Sequence, residues 1–538
     1  MKTSFLHMVL LLFTVIRLPG QENYIPNVWV ADNGNGTYKN PIIHADYSDP
    51  DAIRVGDDYY MIASSFDAVP GLPILHSRDL VNWSIIGHAL KQQIPVEHFS
   101  STHHGEGVWA PSIRYHRGEF YIYYPDPDFG IYLIKAKNIS GPWTDPILVE
   151  AGKGLIDPCP LWEDDGKVYL VHAFAGSRAG IKSVLVVKRL NPEGLRVIDN
   201  GVLVYDGHEL DPTIEGPKFY KRNGWYYIFA PAGGVSTGWQ LVIRSKNVYG
   251  PYERKVVMDQ GTSAINGPHQ GAWVTTQTGE DWFIHFQDKG PYGRVVCLEP
   301  LKWANDWPII GEYKQGESKG QPVFIHRKPN VGKTFRLITP QTSDEFKGAK
   351  LGLQWQWQAN PKATWFFLTG NALRLYSQQI PDSSKNLWTV PNILLQKFPA
   401  EEFNINTKCT FHPIVLNEKT GLVVLGTSYA SVYLIKKEGG ISLFYSTCQQ
   451  ADRGSFEREI RVNKVDSVIY FRVSIRKGAI CKFNYSLNGV DYNEISDLFS
   501  AVAGKWIGAK VGLFCTRDSR ANDAGYADFD WFRVEPLK

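Results

Sequence analysis

The stretch Asp49-Pro-Asp-Ala-Ile-Arg-Val-Gly-Asp-Asp-Tyr-Tyr-Met61 decides how the rest of the chain reads, because it recurs. Ala110-Pro-Ser-Ile-Arg-Tyr-His-Arg-Gly-Glu-Phe-Tyr-Ile122 repeats its logic, as does Asp157-Pro-Cys-Pro-Leu-Trp-Glu-Asp-Asp-Gly-Lys-Val-Tyr-Leu170. A fourth copy is Glu215-Gly-Pro-Lys-Phe-Tyr-Lys-Arg-Asn-Gly-Trp-Tyr-Tyr-Ile228, and a degenerate fifth runs from His269 to Ile284. Each copy is a short strand, a turn rich in Gly, Asp and Asn, and a strand of aromatic and β-branched residues. Turn-rich segments follow three copies: Ser77–Trp83, Ala136–Trp143 and Ser245–Tyr252. They suit the outer edge of a small sheet. The copies start 61, 47, 58 and 54 residues apart, with no long helical periodicity between them. Repeated antiparallel units of that size predict an all-β, five-bladed β-propeller over residues 21–335.

Propeller geometry constrains the chemistry. The innermost strand of each blade lines one central channel, so equivalent residues ring one axis. The residues opening the copies are Asp49, Ala110, Asp157, Glu215 and His269. Three carboxylates would therefore converge, although like charges held together cost free energy. Asp-Pro and Glu-Gly-Pro also make good turns, but turn chemistry does not require an acid at the channel position three times. A catalytic use does: glycosidic hydrolysis takes one carboxylic acid and one carboxylate flanking the scissile bond. Acids on well-separated blades predict a gap of roughly 6.5–9.5 Å, the inverting range. A third carboxylate beside the acid would keep it protonated near neutral pH.

The composition excludes several classes. Among 538 residues, 57 Lys and Arg face 54 Asp and Glu, and loss of Lys2 and Arg17 with a leader leaves 55 against 54. A nucleic-acid partner, which needs a basic surface, is not expected. Residues 1–20 read as a secretory leader: Lys2, an apolar run from Phe5 to Ile16, and small Gly20. The run is short for a bilayer, and no later segment is long enough, so an exported protein, periplasmic or secreted, with no membrane span is expected. Cys159, Cys297, Cys409, Cys448, Cys481 and Cys515 are widely spaced without a CxxC, which argues against zinc–thiolate binding. Pairing among the last four stays open.

The motifs Ser48-Asp49-Pro50-Asp51, Asp157-Pro158 and Glu215-Gly216-Pro217, in that order on five repeats, resemble glycoside hydrolase family 43. Val108-Trp109-Ala110-Pro111 and Gly267-Pro268-His269-Gln270-Gly271-Ala272-Trp273 add to the resemblance. It implies Asp49 as the general base that activates water, Glu215 as the general acid, and Asp157 as the residue that tunes and orients the acid. It implies that Arg294 hydrogen-bonds the sugar in a terminal pocket. It places His269 beside an axial structural calcium in the propeller channel, an ion held mainly by water because imidazole suits a hard cation poorly. The chemistry itself requires no cofactor. Phe66, Trp109 and Trp273 are candidates for the pocket wall, with propeller core as the competing reading. Asp51, the Asp57-Asp58 and Asp164-Asp165 turns and the loop pair His103-His104 read as structural or solvated. Asp126 and Asp128 carry no assigned role.

Near residues 336–345 the pattern changes. Leu353–Trp357, Trp365–Leu368, Leu373–Leu375, Ser431–Ile435, Val468–Val473 and the alternating Ala527–Val534 read as short strands of a β-sandwich over 336–538. It resembles the concanavalin-like C-terminal domain of family 43 xylosidases and arabinofuranosidases. With no Gly/Ser- or Pro-rich linker, packing on the propeller is expected rather than a tethered binding module. The resemblance implies an exo-acting, inverting hydrolase that releases terminal α-L-arabinofuranose or β-D-xylose from plant cell-wall polysaccharide or its oligosaccharides. An endo-arabinanase and a non-catalytic glycan-binding propeller are the alternatives.

Overall fold

The computed structural model describes residues 28–313, 316–495 and 497–537. The leader read over residues 1–20 lies outside them. Five four-stranded antiparallel sheets follow in chain order. The first comprises Asp51–Val55, Asp58–Ile62, Gly71–Ser77 and Trp83–Leu90. The next begin with Ser112–His116, Leu155–Trp162, Lys218–Arg222 and His269–Thr275. Within each, neighbouring strands pair in sequence order, as hairpin turns between adjacent runs require. The ring is tied by Thr37–Lys39 pairing antiparallel with Ile325–Arg327, and by mutual backbone hydrogen bonds between Ile43 and Val296. Helix is confined, among the described residues, to one four-residue turn at Gly176–Ala179 and four three-residue 3-10 turns.

Each sheet is buried on both faces because a blade meets a neighbour on either side. That is why its middle strands are aromatic and β-branched without clean alternation. Between the first and fifth sheets pack Tyr59, Met61, Leu75 and Trp83 against Ala272, Trp282, Ile284 and Leu298. Trp83 and Trp282 are 1% exposed, so truncating either to Ala costs about 3–5 kcal/mol.

After residue 343 two eight-stranded sheets face each other. One has Lys510–Arg517 between Leu394–Lys397 and Lys419–Leu425; the other has Phe403–His412 between Tyr526–Glu535 and Val468–Arg476. Ile405, Phe411, Leu422, Val432, Phe471, Val511 and Phe529 fill the space between them. The sandwich lies on the propeller through backbone pairing. Val69 and Trp357 exchange hydrogen bonds, Asn360 N–H donates to Phe99 O at 2.8 Å, and Gln356 Nε2 donates to Pro70 O at 2.8 Å. All six cysteines are buried and none is paired. Cys159 accepts from Phe219 N–H and from the Arg114 guanidinium, so it is a packing and hydrogen-bonding group between blades.

Candidate active site

The opening residues of the repeats are placed by a recurring backbone kink. Asp49 has φ 54°, Asp157 φ 57°, Gly216 φ 60° and Gln270 φ 40°. Left-handed backbone costs a non-glycine residue of order 1–3 kcal/mol and persists where the surroundings over-determine it. In the third sheet the register slips between Ile156 and Cys159, leaving Asp157 and Pro158 outside the ladder; in the fifth it slips between His269 and Ala272. A bulge of this kind re-aims one side chain out of the regular alternation. Here it turns side chains toward the channel mouth.

Asp49, Asp157 and Glu215 line one pocket with Phe66, Trp109, Ala110, Ile156, Val235, Gln270, Arg294 and Trp506. Counted to its open mouth, with the solvent-filled entrance included, the hollow measures about 470 Å³. Asp49 is buried. Its Oδ2 accepts from Ser64 Oγ at 2.6 Å, and its Oδ1 from Arg294 Nη1 at 3.0 Å. With its hydrogen-bonding directions so taken, the carboxylate is held in one orientation. Arg294 itself lies over the Phe286 ring at 5.0 Å, and its N–H donates to Asp46. It thus serves Asp49 directly and lines the sugar-sized hollow at the same time.

Asp157 Oδ2 accepts from Gly216 N–H at 2.7 Å, which ties it to the residue after Glu215. Burial, and then the charge of Glu215, push the Asp157 carboxyl up to about 8. Asp49 adds a smaller push and Gly216 opposes it. The sequence reading expects a raised proton affinity at the acid; the carboxyl that burial raises is that of its neighbour Asp157. Glu215 stands one-third exposed at the pocket, its N–H bonded to Pro231 O at 3.1 Å and its Oε1 3.0 Å from His269 Nε2.

His269 therefore orients Glu215 from beneath. Its Nδ1 is buried without a protein partner. Calcium prefers six to eight oxygens, whereas this orphaned donor is a nitrogen. No group of three ligating side chains surrounds it among the described residues. The side chains present do not by themselves make a calcium cage.

Two of the three aromatic wall candidates reach the pocket. Phe66 and Trp109 meet edge to face at 6.2 Å, and Trp109 Nε1 is fixed by Gly105 O at 3.0 Å. Trp273 does not. Its ring stacks on Phe229, meets Tyr220 and Trp303, and donates Nε1 to Asp281 at 2.7 Å. It is core between the fourth and fifth blades, because the bulge at His269–Gln270 turns Trp273 away from the channel. Asp51 is structural: fully buried, it accepts from Ile113 N–H and pairs with Arg114 at 2.7 Å. His104 is no solvated loop residue; it stacks on Trp388 of the sandwich at 3.7 Å and hydrogen-bonds its carbonyl. Asp126 is likewise buried, and burial pushes it up to about 8.

Besides the apolar Ile156 and Val235, two pocket residues of more consequence escaped the sequence reading. Gln270 stands in a quoted motif, yet only the kink shows that it, not His269, faces the pocket; its Nε2 is buried without a protein partner. Trp506 comes from the sandwich. It is about half exposed at φ 66°, and its ring meets Trp109 at 6.1 Å. A tryptophan set between Gly504 and Gly508 was the available signal.

The sequence model described as "Glycosyl hydrolases family 43" matches residues 38–308, and that of the "Beta xylosidase C-terminal Concanavalin A-like domain" matches 343–535. A protein named "Putative beta-xylosidase" from Xylanibacter ruminicola is 38% identical, over 90% of this chain and 88% of its own. One named "Non-reducing end alpha-L-arabinofuranosidase BoGH43B" from Bacteroides ovatus is 29% identical over 95% and 96%. The crystal structure of the GH43 BlXynB protein from Bacillus licheniformis superimposes with a TM-score of 0.80 at 26% identity, covering 93% of this chain and 100% of that one. With the family model spanning the whole propeller and the relatives spanning both domains, the chain belongs to glycosyl hydrolase family 43.

Proposed function

We propose that this protein removes a terminal pentose, β-D-xylose or α-L-arabinofuranose, from plant cell-wall polysaccharide or its oligosaccharides, with inversion at the anomeric carbon. The observation that carries the reading is one hollow that collects an acid from the first, third and fourth blades and is walled by Trp506 from the second domain. A wall on that side suits a chain end better than the middle of a polymer, which needs an open cleft. The relatives named for xylose and for arabinofuranose keep both sugars in play.

The chemistry needs two carboxyls and a water. Asp49, oriented by Ser64 and Arg294, takes a proton from water as the water oxygen attacks the anomeric carbon. The glycosidic C–O bond breaks on the opposite face, and Glu215 passes its proton to the leaving oxygen. Asp157, by accepting from Gly216 N–H, holds the backbone beside Glu215 in place. Gln270 adds a polar side chain to the lining of the same hollow. Phe66 and Trp109 exclude water beneath the ring. Calcium, where present near His269, has no chemical part. Residues 1–20 would direct the enzyme out of the cytoplasm, where such polymers occur.

p-Nitrophenyl β-D-xyloside and α-L-arabinofuranoside test the reading. Release from one or both is expected, with proton NMR showing the first-formed anomer inverted. No release from either, or a retained anomer, overturns it.

A further inference from the structure

We propose a second site: His98, His103 and Glu106 form a binding site for a divalent transition-metal ion of the zinc type, beside the pocket wall. The three side chains bring one ligand atom each to within 4.8 Å of one another. Glu106 Oε2 lies 2.7 Å from His98 Nε2 and 3.4 Å from His103 Nδ1. Ligands of a tetrahedral ion held at roughly 2.0–2.2 Å sit about 3.3 Å apart, so small side-chain adjustments seat the ion. Two imidazoles and one carboxylate suit zinc and its borderline neighbours, not the hard calcium and magnesium ions. Each side chain is about 30% exposed, which leaves an approach for the ion and a free position for water.

The surroundings hold the ligands in place before any ion arrives. The far nitrogen of His103, Nε2, is 3.2 Å from Ser101 Oγ, the outer partner that orients a ligating imidazole. The two imidazole rings stack at 3.7 Å, so one must turn about its side-chain torsions to aim its nitrogen at the ion, while His98 stays packed edge-on against Phe99 and Phe129. Glu106 is clamped between Gly105 and Gly107, at φ 80° and 81°. A Cβ on the first would stand 2.9 Å from Lys505, and on the second 2.4 Å from Phe66 O. Only glycine at position 107 lets the loop press this closely on the Phe66 backbone. The same loop carries the carbonyl that fixes Trp109 Nε1, so an ion here braces the pocket wall from outside without touching the carboxylates.

The test uses the full mature chain without a histidine tag, stripped with EDTA and titrated with zinc chloride alone. One zinc per chain is expected by calorimetry and elemental analysis, with a rise in thermal midpoint as occupancy grows. Cobalt chloride in place of zinc gives a visible absorption band. His98→Ala and His103→Ala lose the zinc, the band and the thermal gain while keeping the EDTA-treated midpoint and circular dichroism of the parent. Ser101→Ala, which leaves all three ligands, weakens zinc affinity about tenfold or more. No zinc uptake by the parent chain, or equal uptake by the histidine variants, overturns the proposal. Should a histidine variant fail to fold, the parent titration and Ser101→Ala still decide the question.

Discussion

Asp46 Oδ2 accepts a hydrogen bond from the backbone N–H of Gly508 at 2.9 Å, joining the first blade to a sandwich loop 462 residues later. The other oxygen of the same carboxylate accepts from Arg294 N–H at 2.9 Å and from Ser48 Oγ at 3.0 Å. One buried side chain therefore positions the arginine that holds Asp49 and, at the same time, the loop that presents Trp506.

Replacing that carboxylate couples the domains to the chemistry. Asp46→Ala orphans two buried N–H groups, each costing about 1–3 kcal/mol. It also loosens both pocket walls, and a misplacement near 1 Å costs about 10²-fold. We expect a lower thermal midpoint together with a fall in kcat/KM approaching that size. An unchanged kcat/KM in a destabilised variant refutes the positioning role.

The acid and the base are separable by leaving group. Glu215→Gln is expected to lower kcat by about 10²–10⁴ on a natural oligosaccharide, whose leaving oxygen needs a proton. A dinitrophenyl glycoside leaves without that help, so much of its rate survives. Asp49→Asn is expected to lose both substrates alike, because water activation is needed for each. Equal losses for Glu215→Gln on the two substrates would falsify its assignment as proton donor.

The raised Asp157 carboxyl makes stability depend on pH. Its folded value, about 8, lies above the ordinary carboxylate value of 3.8, so the native protein binds the proton more tightly than the unfolded chain does. That contribution is complete below about pH 4 and disappears as pH rises toward 8. Asp157→Asn removes the ionisation. It should flatten the fall in thermal midpoint between those limits, stabilise the fold in mild alkali and depress kcat. A midpoint profile identical to the parent's counts against a buried proton at this pair.

Trp506 is half exposed and supports no core, so Trp506→Ala should leave the thermal midpoint within a few degrees of the parent. It opens the wall that faces Trp109. We expect KM to rise about tenfold for short substrates, equivalent to about 1.4 kcal/mol, and internal positions of longer chains to become accessible. Product analysis on linear arabinan or xylan reads this directly. Unaltered KM and products show that the sandwich contributes nothing to the pocket.

The repeat made the propeller legible. Hairpin turns and aromatic strands are local devices, so five copies announce five sheets, and the acids at the head of three copies announce where they meet. The sandwich was legible for the same reason: alternation such as Ala527–Val534 is a property of the strand itself. Trp273 stays open between pocket wall and core in the sequence because strand alternation holds only where the ladder is regular, and a bulge at Gln270 reverses which face points inward.

What the amino-acid order determined on its own was therefore periodic: strand, turn, blade number, and the three acids in phase with them. What only the folded molecule decided was aperiodic. It turned Gln270 rather than His269 to the pocket and placed the raised proton affinity on Asp157. It also brought Trp506 across from a different domain. Each depends on a contact between segments far apart in the chain, where burial, a kinked backbone or a docked surface sets the outcome and no local pattern records it.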